Sequence, residues 1–120
     1  MNANILKQEL AQFIGTEQYH RYHNLLLTDG VAFLAEKAGA FWLVDVIWSY
    51  MMTKQEVREE PFLACKLKVT DSKAYFEITD GDDAVLASQD IEYTDFPLEK
   101  FELFVQPYGK NHVVMLPSEY

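Results

Sequence analysis

At Pro61 the hydrophobic pattern of the chain changes period. Before it, apolar residues return every three or four positions; after it they alternate. Those two spacings belong to amphipathic helix and half-buried strand respectively. A chain that switches once, with helical segments first and alternating segments second, is confined to the α+β class, with its helices covering one face of an antiparallel sheet.

The alternating half predicts about five strands. Leu63, Cys65, Leu67 and Val69 face one way, with Ala64, Lys66 and Lys68 opposite them. Thr70-Asp71-Ser72-Lys73 has the composition of a tight turn, after which Ala74, Phe76 and Ile78 alternate with Tyr75, Glu77 and Thr79. Asp80-Gly81-Asp82-Asp83 turns into Ala84 to Tyr93, which Pro97 prevents from continuing. A fourth strand holds Phe101, Leu103 and Val105, and Pro107 to Asn111 turns into a fifth, His112 to Leu116. The simplest connection is an antiparallel meander.

The first half predicts helices. Ile5, Leu6, Leu10, Phe13 and Ile14 recur at helical spacing between Asn4 and Ile14, with Asn2 or Asn4 as cap and Gly15 as terminator. Thr16 to Asn24 shows neither period and reads as a loop with room for a short strand. Thr28 then suits an N-cap with Asp29 in the first turn, where the helix dipole favours a carboxylate. Val31, Leu34, Ala35 and Ala38 form the following stripe. Gly39 either breaks this helix or kinks it, and a break is preferred. Ala40 to Met52 is apolar on nearly every side, which suits a central helix.

Composition narrows the function classes. The 120 residues suit one domain, 1–120, and 49% apolar content supports a packed core without staples. Nineteen acidic residues against ten basic give a formal charge of -9, which disfavours direct nucleic-acid binding and anionic membranes. Cys65 is the single cysteine, so no intrachain disulfide or CxxC motif exists. No apolar run reaches the length of a bilayer span, and the N-terminus lacks the pattern of a signal peptide; a cytoplasmic setting is the expectation. No cofactor-binding motif is present.

Three groups of residues could carry chemistry. Asp45 stands among Phe41, Trp42 and Trp48, where an ionised carboxylate needs a partner; it is a candidate acid or base in an apolar pocket, against the more common role of a hydrogen-bonded structural carboxylate. Glu17, His20 and His23 would share a side if helical, a weak metal candidate because no fourth ligand accompanies them. Asp80, Asp82, Asp83, Asp90, Glu92 and Asp95 mark the most acidic region, either a solvated sheet edge or a docking surface for a basic protein.

Thr28-Asp29-Gly30, AEKAGAFWLVDVIWSY (Ala35 to Tyr50), IEYTDFPL (Ile91 to Leu98) and the terminal LPSEY (Leu116 to Tyr120) resemble an uncharacterised family of small proteins common among cyanobacteria and other bacteria. The resemblance implies no catalytic residue, cofactor or partner. Its recurring pieces are polar residues at element junctions, of types that fix a fold by satisfying local backbone groups.

The sequence therefore favours a non-catalytic binding or interaction protein with an acidic surface. A small enzyme built on Asp45 is the alternative. A subunit that dimerises through a free sheet edge or an aromatic patch is a third reading.

Overall fold

The computed structural model describes Asn2–Tyr120. Helices α1 (Ala3–Leu10), α2 (Asp29–Lys37), α3 (Phe41–Thr53) and α4 (Gln55–Arg58) all precede the long strands. The strands are β1 (His20–Tyr22), β2 (Leu25–Leu27), β3 (Leu63–Thr70), β4 (Lys73–Thr79), β5 (Val85–Ile91), β6 (Lys100–Tyr108) and β7 (Asn111–Met115). A 3-10 turn, Pro117–Glu119, follows the last strand.

The helix boundaries follow local chemistry. Asn2 caps α1 by accepting from the amides of Asn4 and Ile5. That helix ends at Leu10, short of the predicted Gly15. Gly39 separates α2 from α3 at φ +60, and the Ala40 amide returns to the Ala35 carbonyl at 2.9 Å. This six-to-one bond is the Schellman closure that a left-handed residue permits.

All seven strands form one sheet in the order β1-β2-β7-β6-β3-β4-β5. The five expected strands are present, but the sheet gains two short ones from the Thr16 to Asn24 region and its continuation. β1 and β2 make a tight hairpin around His23 and Asn24, with His23 at φ 54. Three-residue strands are too brief to show a period, so the sequence pattern could not distinguish them from loop. β2 then pairs in parallel with β7, and the sheet is mixed where an antiparallel one was expected.

The simple meander is also corrected. β3, β4 and β5 are consecutive hairpins, but β6 returns across the sheet to lie beside β3. The spatial order 6-3-4-5 is a Greek key. The connection that permits it spans Glu92 to Glu99, where Thr94 donates its amide to the Ser72 carbonyl at 2.8 Å and receives the Phe96 amide on its hydroxyl at 3.1 Å.

One core joins the helices to one sheet face. Leu6, Val31, Leu34, Val44, Ile47 and Val57 meet Leu63, Leu67, Phe76, Ile78, Leu103 and Val105, all within 3% of full burial. The opposite face carries Lys66, Lys68, Tyr75, Glu77, Glu102 and Phe104 by strand alternation. Cys65 is fully buried in the core, and burial pushes its thiol far above the usual range, so it behaves as a small hydrophobe. Among the described residues no helix is long and apolar enough to cross a membrane.

Candidate functional site

Asp45 does not occupy an apolar pocket. Its side chain is 50% exposed on the outer stripe of α3. The β1-β2 turn brings Tyr22 over it, and the Tyr22 hydroxyl donates to Oδ1 at 2.8 Å, which holds the phenol above its usual pKa. His23 Nε2 lies 3.6 Å from the same oxygen while its ring stacks on Trp48 with centroids 4.4 Å apart. Trp48 in turn donates to Asn24 Oδ1 at 2.6 Å, and Tyr22 stacks on Phe41 at 5.2 Å. The carboxylate is thus a fastening point between hairpin and helix. The Tyr22 ring stacks on Phe41 and the His23 ring on Trp48, so the hairpin lies against the helix through aromatic contacts.

This arrangement revises the reading of α3 as a central helix. Leu43, Val44, Ile47 and Met51 are buried, but Phe41, Asp45, Ser49 and Met52 face outward at spacings of three and four. Its outer apolar residues are covered in part by Tyr22, His23 and Asn24 rather than by a second helix.

The weak metal set is dispersed in its roles. Glu17 lies in the loop before β1, His20 opens that strand and His23 stands in the turn after it, so the helical alignment that would have united them does not exist. His20 Nε2 contacts Asp29 Oδ1 at 2.8 Å, whereas His23 turns to Asp45. Among the described residues no three His, Cys, Asp or Glu side chains gather as metal ligands.

The strongest polar constellation joins the chain's two halves at the start of α2. Thr28, almost fully buried, accepts the Val31 amide and donates its hydroxyl to Glu119 Oε1 at 2.6 Å. The other Glu119 oxygen accepts the Gly30 amide at 3.1 Å, and Oε1 also takes the Leu116 amide at 3.0 Å. Asp29 receives the Glu17 amide at 2.9 Å and His20 beside it; these bonds, the amide first, hold its carboxyl below the usual range. Its own amide donates to Thr16 Oγ1 at 2.9 Å. The Thr28-Asp29-Gly30 and Leu116-to-Tyr120 segments are therefore one joint. A carboxylate at a helix N-terminus satisfies orphan amides and meets the positive end of the dipole.

Asp80, Asp82, Asp83, Asp90 and Glu92 fall along the β5 edge, whereas Asp95 comes after Thr94, whose amide bonds the Ser72 carbonyl in the β3-β4 turn, and so has left that edge. Asp80, Asp82 and Asp83 occupy the β4-β5 turn, Asp90 lies in β5, and Glu92 and Asp95 follow its end. Asp80 Oδ1 accepts the amides of Asp82 and Ala84, which makes it a turn-forming residue. Asp83, at φ 65, pairs with Lys66 at 3.3 Å. Seven residues of strand separate the two acidic ends by about 20 Å. The edge between them is guarded: the Tyr50 hydroxyl reaches Gln89 Oε1 at 2.8 Å and the Ser88 carbonyl at 3.3 Å.

Sequence reasoning missed a pair of opposed lysines on the outer face of the sheet. Lys68 faces Lys100 directly across the β3-β6 ladder, and Lys66 faces Glu77 on one side and Glu102 on the other. These neighbours lie far apart in the chain, and only the Greek-key return of β6 brings them together.

In a search of solved structures, a crystal structure of a protein of unknown function from Enterococcus faecalis matches with TM-score 0.60 and 17% identity, over 81% of this chain and 90% of that one. At that identity the likeness concerns the fold. No curated protein matches the sequence. The model of a family of unknown function, DUF6876, matches residues 4–120, and the chain belongs to that family.

Proposed function

We propose that this member of the DUF6876 family is a non-catalytic binding protein of the cytoplasm that presents the acidic β5 edge to a basic protein surface. The observation that supports this most is the placement of Asp82, Asp90 and Glu92, all exposed, along one edge of the sheet. Their carboxylates have no cation within salt-bridge distance among the described residues. A line of unpaired like charge costs self-repulsion and is relieved by a complementary partner. The buried, unreactive Cys65 suits a reducing compartment.

Self-association through this edge is disfavoured. Two β5 strands side by side would bring their acidic ends together, and Tyr50 already engages the outward Ser88 carbonyl.

An oligolysine peptide serves as the probe, with binding followed by calorimetry at two salt concentrations. Affinity should fall steeply with salt. D82N/D90N/E92Q should weaken binding more than E9Q/E17Q/E36Q, which removes the same number of charges elsewhere. Equal losses in the two triple variants would assign the attraction to net charge and defeat the proposed surface.

A further inference from the structure

The register of β3 determines how its outward side chains meet their neighbours. The β3-β4 turn has two residues, Asp71 and Ser72, at φ 52 and 63, which is a type I′ hairpin. In such a hairpin Thr70 and Lys73 exchange both backbone bonds, so even-numbered β3 residues bond toward β4 and odd-numbered ones toward β6. The Val69 amide bonded to the Glu99 carbonyl at 2.8 Å agrees with this parity. Lys68 and Lys100 therefore form a non-hydrogen-bonded pair, in which opposed side chains approach most closely, with Cα atoms about 4.5 Å apart.

Two ammonium groups at the closest cross-strand position repel one another. Neither has a carboxylate within salt-bridge distance among the described residues, although the chain carries nineteen acidic residues against ten basic ones. The neighbouring Lys66 already pairs with Asp83. Over this pair lies an open groove of about 590 Å³, within the range of small-molecule sites. Tyr75, directly opposite Lys68 on β4 and 42% exposed, forms one wall, while Glu77 and Glu102 close the far end.

We propose that this groove binds a small aromatic phosphate monoester. The dianionic phosphate lies between Lys68 and Lys100, and the ring lies against Tyr75. Lysine ammoniums are compact point charges suited to a tetrahedral dianion, and an exposed tyrosine offers a stacking face. The acidic groups around the groove, Glu77, Glu102 and Asp90, repel the further phosphates of a polymer, so the site selects a small ligand. This site is distinct from the acidic edge and does not depend on it.

The test is an amide chemical-shift titration of the full chain with phenyl phosphate, alongside inorganic phosphate, phenol and a ten-nucleotide single strand. Phenyl phosphate should give saturable shifts at Lys66 to Val69, Tyr75 and Lys100 to Glu102. K68Q/K100Q should weaken binding about tenfold or more, with the spectrum elsewhere unchanged. Y75A should bring phenyl phosphate down to the affinity of inorganic phosphate. Failure to saturate by about 10 mM, an unchanged Kd in K68Q/K100Q, tighter binding of phenol, or tighter binding of the oligonucleotide would each overturn the proposal.

Discussion

Glu119 commits both carboxylate oxygens to the start of α2, and Gly30 is what lets it come so close. A Cβ on Gly30 would stand 2.5 Å from Leu116 Cδ1 and 2.7 Å from Glu119 Oε1, so the joint requires a residue without one. G30A should therefore destabilise the fold by about 1 to 3 kcal/mol, measured by urea denaturation, through displacement of the C-terminal turn. E119A should cost about 2 kcal/mol, because the Gly30 amide and the Thr28 hydroxyl lose a charged acceptor. Combining it with T28A should cost less than the sum of the two, since both remove the same contact. Thr28 as a cap was legible in the sequence from residue type alone. Its partner was not, because the two stand 91 positions apart and nothing local points from one to the other.

Among the elements, α3 and the hairpin that covers it show where hydrophobic pattern misleads. A helix apolar on nearly every side reads as central, yet the outer stripe of α3 is exposed and is covered in part by the side chains of a three-residue strand and its turn. Phe41 and Trp48 are satisfied by Tyr22 and His23, whose segment was too short to declare a period. Y22F should leave the fold intact and cost about 1 kcal/mol or less, as expected for an exposed hydrogen bond, with thermal denaturation as the readout. On the sheet, K100E should stabilise by about 0.2 to 1 kcal/mol by converting a like-charge cross-strand pair into an opposite one. His112 supplies a pH dependence. Burial against α4, where Nε2 lies 3.2 Å from the Arg58 carbonyl, holds its pKa below the ordinary 6.5. A lowered folded value favours the neutral ring, so its contribution is present above pH 6.5 and lost as the pH falls through the folded value. Wild type should lose stability on going from neutral pH to mild acid, and H112Q should flatten that part of the profile.

At the scale of the whole molecule, the helix-then-strand order was readable from the change of period at Pro61, and the five long strands from their alternation. The return of β6 to β3 and the parallel docking of β2 on β7 were not, because alternation assigns faces but not neighbours. The candidate site followed the same division. The acidic residues were visible as a run, but their alignment along β5 and the opposed lysines depend on topology. That alignment leaves the molecule with two kinds of surface: an α3 face whose aromatic residues stack on the β1-β2 hairpin, and a sheet side bearing unpaired charge. We propose that recognition belongs to the sheet side. Backbone amide mapping of the oligolysine complex tests it most directly. The account predicts shifts concentrated at the β4-β5 turn, β5 and Glu92; shifts concentrated instead at Tyr22 to Asn24 and the outer stripe of α3 would contradict it.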